Sequence, residues 1–439
     1  MENQQKPKLS LGQIWNMCFG FLGIQFGMGL QLANMSPIFR YLGANEHSLP
    51  LLWLAGPVTG LVIQPIIGAM SDNTWNRFGR RRPYFLTGAI IASIILILMP
   101  YSSTLWMAAS FMWILDAAVN SSMEPFRAMV GDILPKEQQA KGFSVQAFLI
   151  GVGQLFSSVL PYLLTLLGLS TLTTGQNIPD FVKYAFLMGA AIIIGSILWT
   201  SYTTKEYPPS DMEAFRKKQA ESGGLFGAFK EIFVAVKEMP LALRQMWWVK
   251  LACWYGLPLM WQYYSLSIAR HAYNAPTVES AGFADGVKMG GVAIAFYCVA
   301  PILMSFLFTP LIRRMGTRKV FALFLTIGAI GFIGTLFTTN ITAIFALCFL
   351  TGIGFSAICT VPYIMLSTTV QPARMGVYMG ILNAFICIPQ IISMLTVPLY
   401  YDSLLAGDPR NAIILAGICW LIAAVLCMRI TPTVENIES

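Results

Sequence analysis

Residues 106–132 read WMAASFMWILDAAVNSSMEPFRAMVGD, and this stretch decides the fold. It is about as long as a membrane-crossing helix, yet Asp116, Glu124 and Arg127 sit inside or at the edge of its apolar run. An ionised side chain at mid-bilayer costs at least about 2.5–3.5 kcal/mol, so a helix with three such groups needs a protein interior or an aqueous cavity. Asp116, Asn120, Glu124 and Arg127 follow one another at steps of four, four and three residues, which stacks them on one helical face. A column of carboxylate, amide, carboxylate and guanidinium suits a strip that handles a proton and orients a polar substrate. Glu124 and Arg127 also suit a simple ion pair that pins a helix end. Asp116 has no basic residue three or four positions away on either side, and a packing hydrogen bond is the alternative to a functional role there.

The whole chain shares this character. Of its 439 residues 56% are hydrophobic and only 11% charged, against about a quarter charged in a soluble domain. Apolar runs recur from end to end, so the class is an all-α polytopic membrane protein, since a lone segment in lipid must satisfy its own backbone. Twelve spans are expected, at 14–37, 50–70, 84–101, 105–130, 143–168, 181–202, 247–268, 289–311, 319–338, 342–369, 377–400 and 411–430. They divide the chain into a six-helix bundle (1–202), a polar central loop (203–246) and a second six-helix bundle (247–439). The opening MENQQKPKLSLGQ leads into a span too long for a cleaved signal peptide, so the first helix is expected to be retained. The eight cysteines lie in or near apolar segments without metal-ligand spacing and read as small hydrophobes.

Basic residues set the orientation. With both termini cytoplasmic, every one of the 28 lysines and arginines falls inside except Arg40, Lys183, Arg270, Lys288 and Arg410. Lys250 is counted with that inner set. Within the central loop, Leu225, Phe226, Phe229, Ile232, Phe233 and Val236 form an apolar stripe opposite Lys230, Glu231, Lys237 and Glu238. That pattern fits a helix on the inner membrane surface, with a partner-binding helix as the rival.

A faint internal repeat supports the two halves. Gly79 to Arg82 recurs as Gly316 to Lys319, Pro125 and Pro135 as Pro362 and Pro372, and Gln25 as Gln262, all displaced by 237 residues. Equal displacement in separate regions favours related halves around a central site. Asp116, Glu124 and Arg127 map to Ile353, Val361 and Ile364, so buried charge is expected in the first half alone.

The segments LGIQFGMGLQLANMSPIFRYLG (22–43), IQPIIGAMSDNTWNRFGRRRPY (63–84), WILDAAVN (113–120), MEPFRAMVGDILP (123–135) and VPYIMLSTTVQPARMGVYMGILNAFICIPQ (361–390) resemble one family. It is that of the plant-type sucrose transporters and their bacterial and animal relatives, within the glycoside/pentoside/hexuronide:cation symporter branch of the major facilitator superfamily. The resemblance implies the major facilitator fold, alternating access, and proton-coupled movement of a disaccharide such as sucrose or maltose. It assigns protonation and sugar contact to Asp116 and a role to Arg127. Plant members have glycine where this chain has Glu124, match His47 only loosely, and carry a fifth-helix arginine that 143–168 lacks. The run CWYGLPLMWQYYSLSIARH (253–271) looks more like the bacterial branch.

Asp116, Glu124 and Arg127 are therefore the expected proton-coupling residues. Sugars are held by planar amides and by aromatic rings on their C–H faces. The candidates are Gln25, Gln31, Asn120, Trp254, Trp261, Tyr264, Tyr378, Asn383 and Gln390, against a background of packing aromatics and helix-to-helix amide bonds. Span 50–70 has no acidic residue, which favours protons over sodium as the coupling ion. In the RFGRRRP loop, Asp72 is expected to cap or pair with Arg80 or Arg81 as a cytoplasmic gate, or the cluster is only topogenic. Neither a cofactor, a metal site, a catalytic motif nor nucleic-acid binding is expected. The expectation is a monomeric importer of a sucrose- or maltose-like α-glucoside in a bacterial inner membrane. A sugar sensor on a transporter fold and a proton antiporter exporting an amphipathic compound are the alternatives.

Overall fold

The computed structural model describes residues 7–169, 178–208, 212–213, 234–304, 307–370 and 375–431, and among them there is no strand beyond one isolated bridge between Asn76 and Gly79. Twelve long helices follow in order: α1 Leu11–Tyr41, α2 Ala55–Asp72, α3 Arg82–Leu98, α4 Leu105–Ile133, α5 Lys136–Leu166 and α6 Asp180–Thr203 form the first half. The second half holds α7 Leu241–Ala272, α8 Phe283–Met304, α9 Thr317–Gly334, α10 Ile341–Thr369, α11 Met375–Tyr400 and α12 Pro409–Met428. Among the described residues, nine helices are long and apolar enough to cross a membrane by length and composition. The other three, α1, α4 and α7, are as long but more polar, and they carry Gln25, Gln31, Asp116, Trp254 and Trp261.

Local chemistry explains where the boundaries move. The expected span 50–70 splits into a one-turn helix Leu49–Leu52 and α2, because the chain bends at Trp53, whose indole N–H donates to Ser36 Oγ at 2.9 Å. At the eighth expected span, Phe283–Met304 is helical, and beyond residues 305–306, which lie outside the described residues, Phe308–Met315 is helical and ends at Gly316. α7 starts at Leu241, inside the expected loop 203–246, since Pro240 takes the extended N-cap conformation that opens a helix. Most of the amphipathic stripe, from Leu225 to Phe233, lies outside the described residues; Val234 to Lys237 are helical. All eight cysteines are free.

The helices form two six-helix bundles of matching design. In the first, α1 packs on α5 and α6, α3 on α4 and α6, and α2 on α4. Six helices later, α7 packs on α11 and α12, α9 on α10 and α12, and α8 on α10. This correspondence is the pseudo-symmetry of the major facilitator fold, and Pro125 in α4 and Pro362 in α10 are its matched interior prolines. The halves meet through α5 on α8, α2 on α11 and α1 on α7.

Small residues let these helices approach, the usual device where lipid supplies no hydrophobic drive between helices. A Cβ on Gly354 would stand 2.4 Å from the Trp420 ring and 3.0 Å from the Gly328 Cα. Gly354→Ala is expected to lower stability by about 1–3 kcal/mol, read as a fall in the thermal midpoint in detergent. Gly68→Ala, in α2 with open space around the added carbon, is the control and should not lower it.

Candidate functional site

The Asp116 carboxylate is buried between three helices. Its Oδ1 accepts a hydrogen bond from Gln31 Nε2 of α1 at 3.0 Å, and its Oδ2 has no partner among the described residues. Gly56 of α2 makes room beside it: a Cβ there would lie 3.6 Å from Oδ2. Only 8% of the residue is exposed. A partnerless buried polar oxygen costs about 1–3 kcal/mol, so this position is held against its own desolvation.

One turn on, Asn120 is knotted to α2. Its Nδ2 donates to Thr59 Oγ1 at 2.9 Å, and its Oδ1 accepts from Gln64 Nε2 at 2.6 Å. Gln64 Oε1 is buried without a partner among the described residues. On the same face of α2, the Gly60 carbonyl accepts from Asn383 Nδ2 of α11 at 3.4 Å, across the two halves. α2 therefore brings Asp116, Gln31, Asn120 and Asn383 together by way of Gly56, Thr59, Gly60 and Gln64, which were not singled out from the sequence. Two glycines and a threonine in an apolar run carry no periodic signal.

The other candidates are dispersed. Gln25 is buried in the first half, its Oε1 accepting from Gln154 Nε2 of α5 at 2.9 Å. Glu124 and Arg127 pair with each other at 3.1 Å, with side chains 35% and 44% exposed. The column of four thus separates into a buried upper part and a half-exposed ion pair. Trp254 and Trp261 meet edge to face at 6.2 Å, with Phe355 of α10 against Trp254 at 6.4 Å. Tyr264 is buried farther along α7, and Gln390 is buried on α11. Tyr378 stands apart: its hydroxyl donates to the Ala235 carbonyl at 3.2 Å, which ties the end of the central segment to α11.

Buried charge is not confined to the first half, as the sequence reading expected. Lys250 of α7, counted there with the inner surface charges, is 0% exposed. Its Nζ donates to the Ile358 carbonyl of α10 at 3.3 Å and lies over the rings of Trp254 at 5.5 Å and Tyr363 at 5.9 Å. A basic residue at a predicted helix start looks topogenic until packing turns it inward.

The two ends of the molecule differ. At the end away from the chain termini, Glu46 bridges the halves. Its carboxylate accepts from Arg270 at 2.7 Å and from the Tyr401 hydroxyl at 2.9 Å, and Arg40 lies 3.7 Å away. The Tyr263 hydroxyl donates to the Glu46 carbonyl at 2.9 Å, and the Tyr263 and Tyr401 rings stack at 5.0 Å. His47 stands 3.9 Å from Asp402 beside this knot. At the opposite end, Arg81 reaches Asp72 at 2.5 Å and Asp132 at 2.6 Å, and Arg80 reaches Asp72 at 3.4 Å. Glu206 accepts from the backbone N–H groups of Arg80, Arg81 and Arg82 at 2.6–2.9 Å, an anion placed at the start of α3. Gly79, at φ +107, lies against that carboxylate. The charge cluster joins α2, α3 and α4 to the segment just after α6, and Asp132 and Glu206 complete it.

Replacing a buried cation by an apolar isostere is often neutral or stabilising. Lys250→Met is expected to melt no lower than the parent protein while its transport rate falls about tenfold or more, an effect of lost charge rather than lost folding. Parallel thermal unfolding and vesicle uptake assays separate the two.

The chain shares this architecture with known transporters. The family described as MFS/sugar transport protein matches residues 40–397. Sucrose transport protein SUT5 of Oryza sativa subsp. indica is 27% identical over 431 residues, covering 85% of this chain and 79% of that protein. The general alpha-glucoside permease of Schizosaccharomyces pombe is 25% identical over 299 residues, covering 63% of this chain and 52% of that protein. Among solved structures, the nucleoside transporter NupG superposes with a TM-score of 0.72 at 14% identity, over 96% of this chain and 100% of the other. A D-xylose-proton symporter superposes with a TM-score of 0.68 at 16% identity, over 97% and 99%. At such identities the solved structures speak for the fold alone. The family match spans most of the chain, and with it the protein is a multi-pass sugar transporter of the major facilitator superfamily, belonging to its glycoside/pentoside/hexuronide branch.

Proposed function

We propose that the protein imports a disaccharide, sucrose, maltose or a similar α-glucoside, together with a proton by alternating access. The observation that carries this reading is Asp116, an acid buried with one amide donor and no counter-ion among the described residues. Such a carboxyl is a place where a proton can be taken up and given back as its surroundings change. Gln31 links it to α1, and the Asn120 knot links its helix to α2, so movement of either helix alters the acid's hydrogen bonding. Sugar hydroxyls that displace the Gln31 amide would couple binding to protonation. The named relatives that transport sucrose or α-glucosides support the substrate class.

The chain sits in a bacterial inner membrane as a monomer with both termini cytoplasmic. In that orientation the Glu46 knot holds the outer ends of the halves together, and the half-exposed Glu124–Arg127 pair lies toward the cytoplasm. Opening outward then requires Arg270 and Tyr401 to release Glu46. Asp72, Arg80 and Arg81 hold the inner ends of α2 and α3 to α4 as that rearrangement proceeds.

In proteoliposomes with an inward proton gradient, labelled sucrose or maltose is expected to accumulate, and adding the sugar should make the external medium more alkaline. Asp116→Asn should abolish uphill accumulation yet retain sugar exchange between equal pools. A variant that still concentrates sugar at the parent rate removes Asp116 from the mechanism.

A further inference from the structure

Gln262 of α7 is 1% exposed, and neither its Nε2 nor its Oε1 has a hydrogen-bond partner among the described residues. An amide buried with both ends unsatisfied is destabilising in a way that leucine would not be. Its place on the helix shows where it points. Tyr255, Gln262 and Ala269 are seven residues apart and share one stripe of α7. Tyr255 hydrogen-bonds Thr396 and Tyr400 of α11, and Ala269 is in contact with Gly286 of α8. α8 and α11 are the second-half helices that pack on α5 and α2 of the first. A side chain midway between them looks into the interface between the halves.

The internal repeat separates this glutamine from an ordinary packing amide. Its counterpart Gln25 is satisfied by Gln154, but the residue 237 positions beyond Gln154 is Ile391, which has no polar group. Gly153, which backs onto Gln25 with its Cβ position 3.3 Å from the Gln25 Cβ, corresponds at the same displacement to Gln390. Gln390 is 7% exposed. The second half thus has no counterpart of the residue that satisfies Gln25, and a second amide stands at the neighbouring position. On the same helix the Trp254 indole N–H is also buried without a partner among the described residues.

We propose that Gln262 is a sugar-positioning residue whose carboxamide grips two adjacent hydroxyls of one ring of the transported disaccharide, with Gln390 as its neighbour. A carboxamide offers two N–H donors and an acceptor oxygen, and a vicinal diol offers both functions at matching spacing. This inference rests on the sugar-import reading above and gives the second half a polar contribution to the site besides Asn383.

The test is equilibrium exchange in proteoliposomes of sucrose and maltose, each as the parent sugar and as analogues lacking single ring hydroxyls. Gln262→Leu is expected to raise the KM for the parent sugar about thirtyfold or more while the maximal rate stays within about threefold. Loss of one of the gripped hydroxyls should weaken exchange about tenfold or more in the parent protein and barely at all in the variant, since the partner is already gone. A purely structural glutamine would leave that hydroxyl penalty equal in both proteins, and equality overturns the inference. Gln262→Glu, nearly isosteric, is read in the same way should Gln262→Leu fail to fold. Parent protein that exchanges sugar while both variants keep its KM overturns the inference alone. Parent protein that exchanges neither sugar overturns the sugar reading and this inference with it.

Discussion

The hydrogen bond from Gln31 to Asp116 is the contact on which the interior of the first half depends. In water an amide and a carboxylate gain little by meeting, because each exchanges one good partner for another. Inside a membrane protein neither has water to return to, so the pair holds α1 against α4 with a force the same groups lack on a surface. The Asn120 knot does the same between α4 and α2. Three helices are thereby registered around one acid, and that acid is left with a single donor.

The second interior is built differently. Its α7 and α10 meet through Lys250, a carbonyl and aromatic rings instead of through amides. Buried polar atoms without a partner among the described residues occur in both halves, Asp116 Oδ2 and Gln64 Oε1 in the first and the Gln262 amide and Trp254 indole N–H in the second. The cross-half ties around Glu46 lie at the end away from the chain termini, where backbone, carboxylate, guanidinium and two stacked phenols combine. A latch of several moderate contacts can be released stepwise, as the proposed alternating access would require.

Much of this was legible in the chain. Helix number, the division into halves and the exceptional character of residues 106–132 follow from hydropathy and spacing. The resemblance carried by the 22–43, 113–135 and 361–390 segments led to the family. What escaped reading is of one kind. Lys250 is counted with the inner basic residues and Arg270 with the outer ones, and Glu46, Gly56, Thr59 and Gln64 are not singled out, because each acquires its meaning from a residue far away in sequence. Tyr378 and Gln25 are polar groups in apolar runs too, and in this structure a carbonyl and a neighbouring amide are their partners, which the sequence does not show.

The amino-acid sequence by itself determined that this protein crosses a membrane with twelve helices in two related halves, since lipid forces each segment to be apolar and internally hydrogen-bonded. It also determined that Asp116 must face inward, because charge cannot face acyl chains cheaply. Only the tertiary structure decided which buried polar groups find protein partners and which do not. Hydrogen bonding between helices depends on ångström distances and on rotations about helix axes, and a linear pattern of residue types specifies neither.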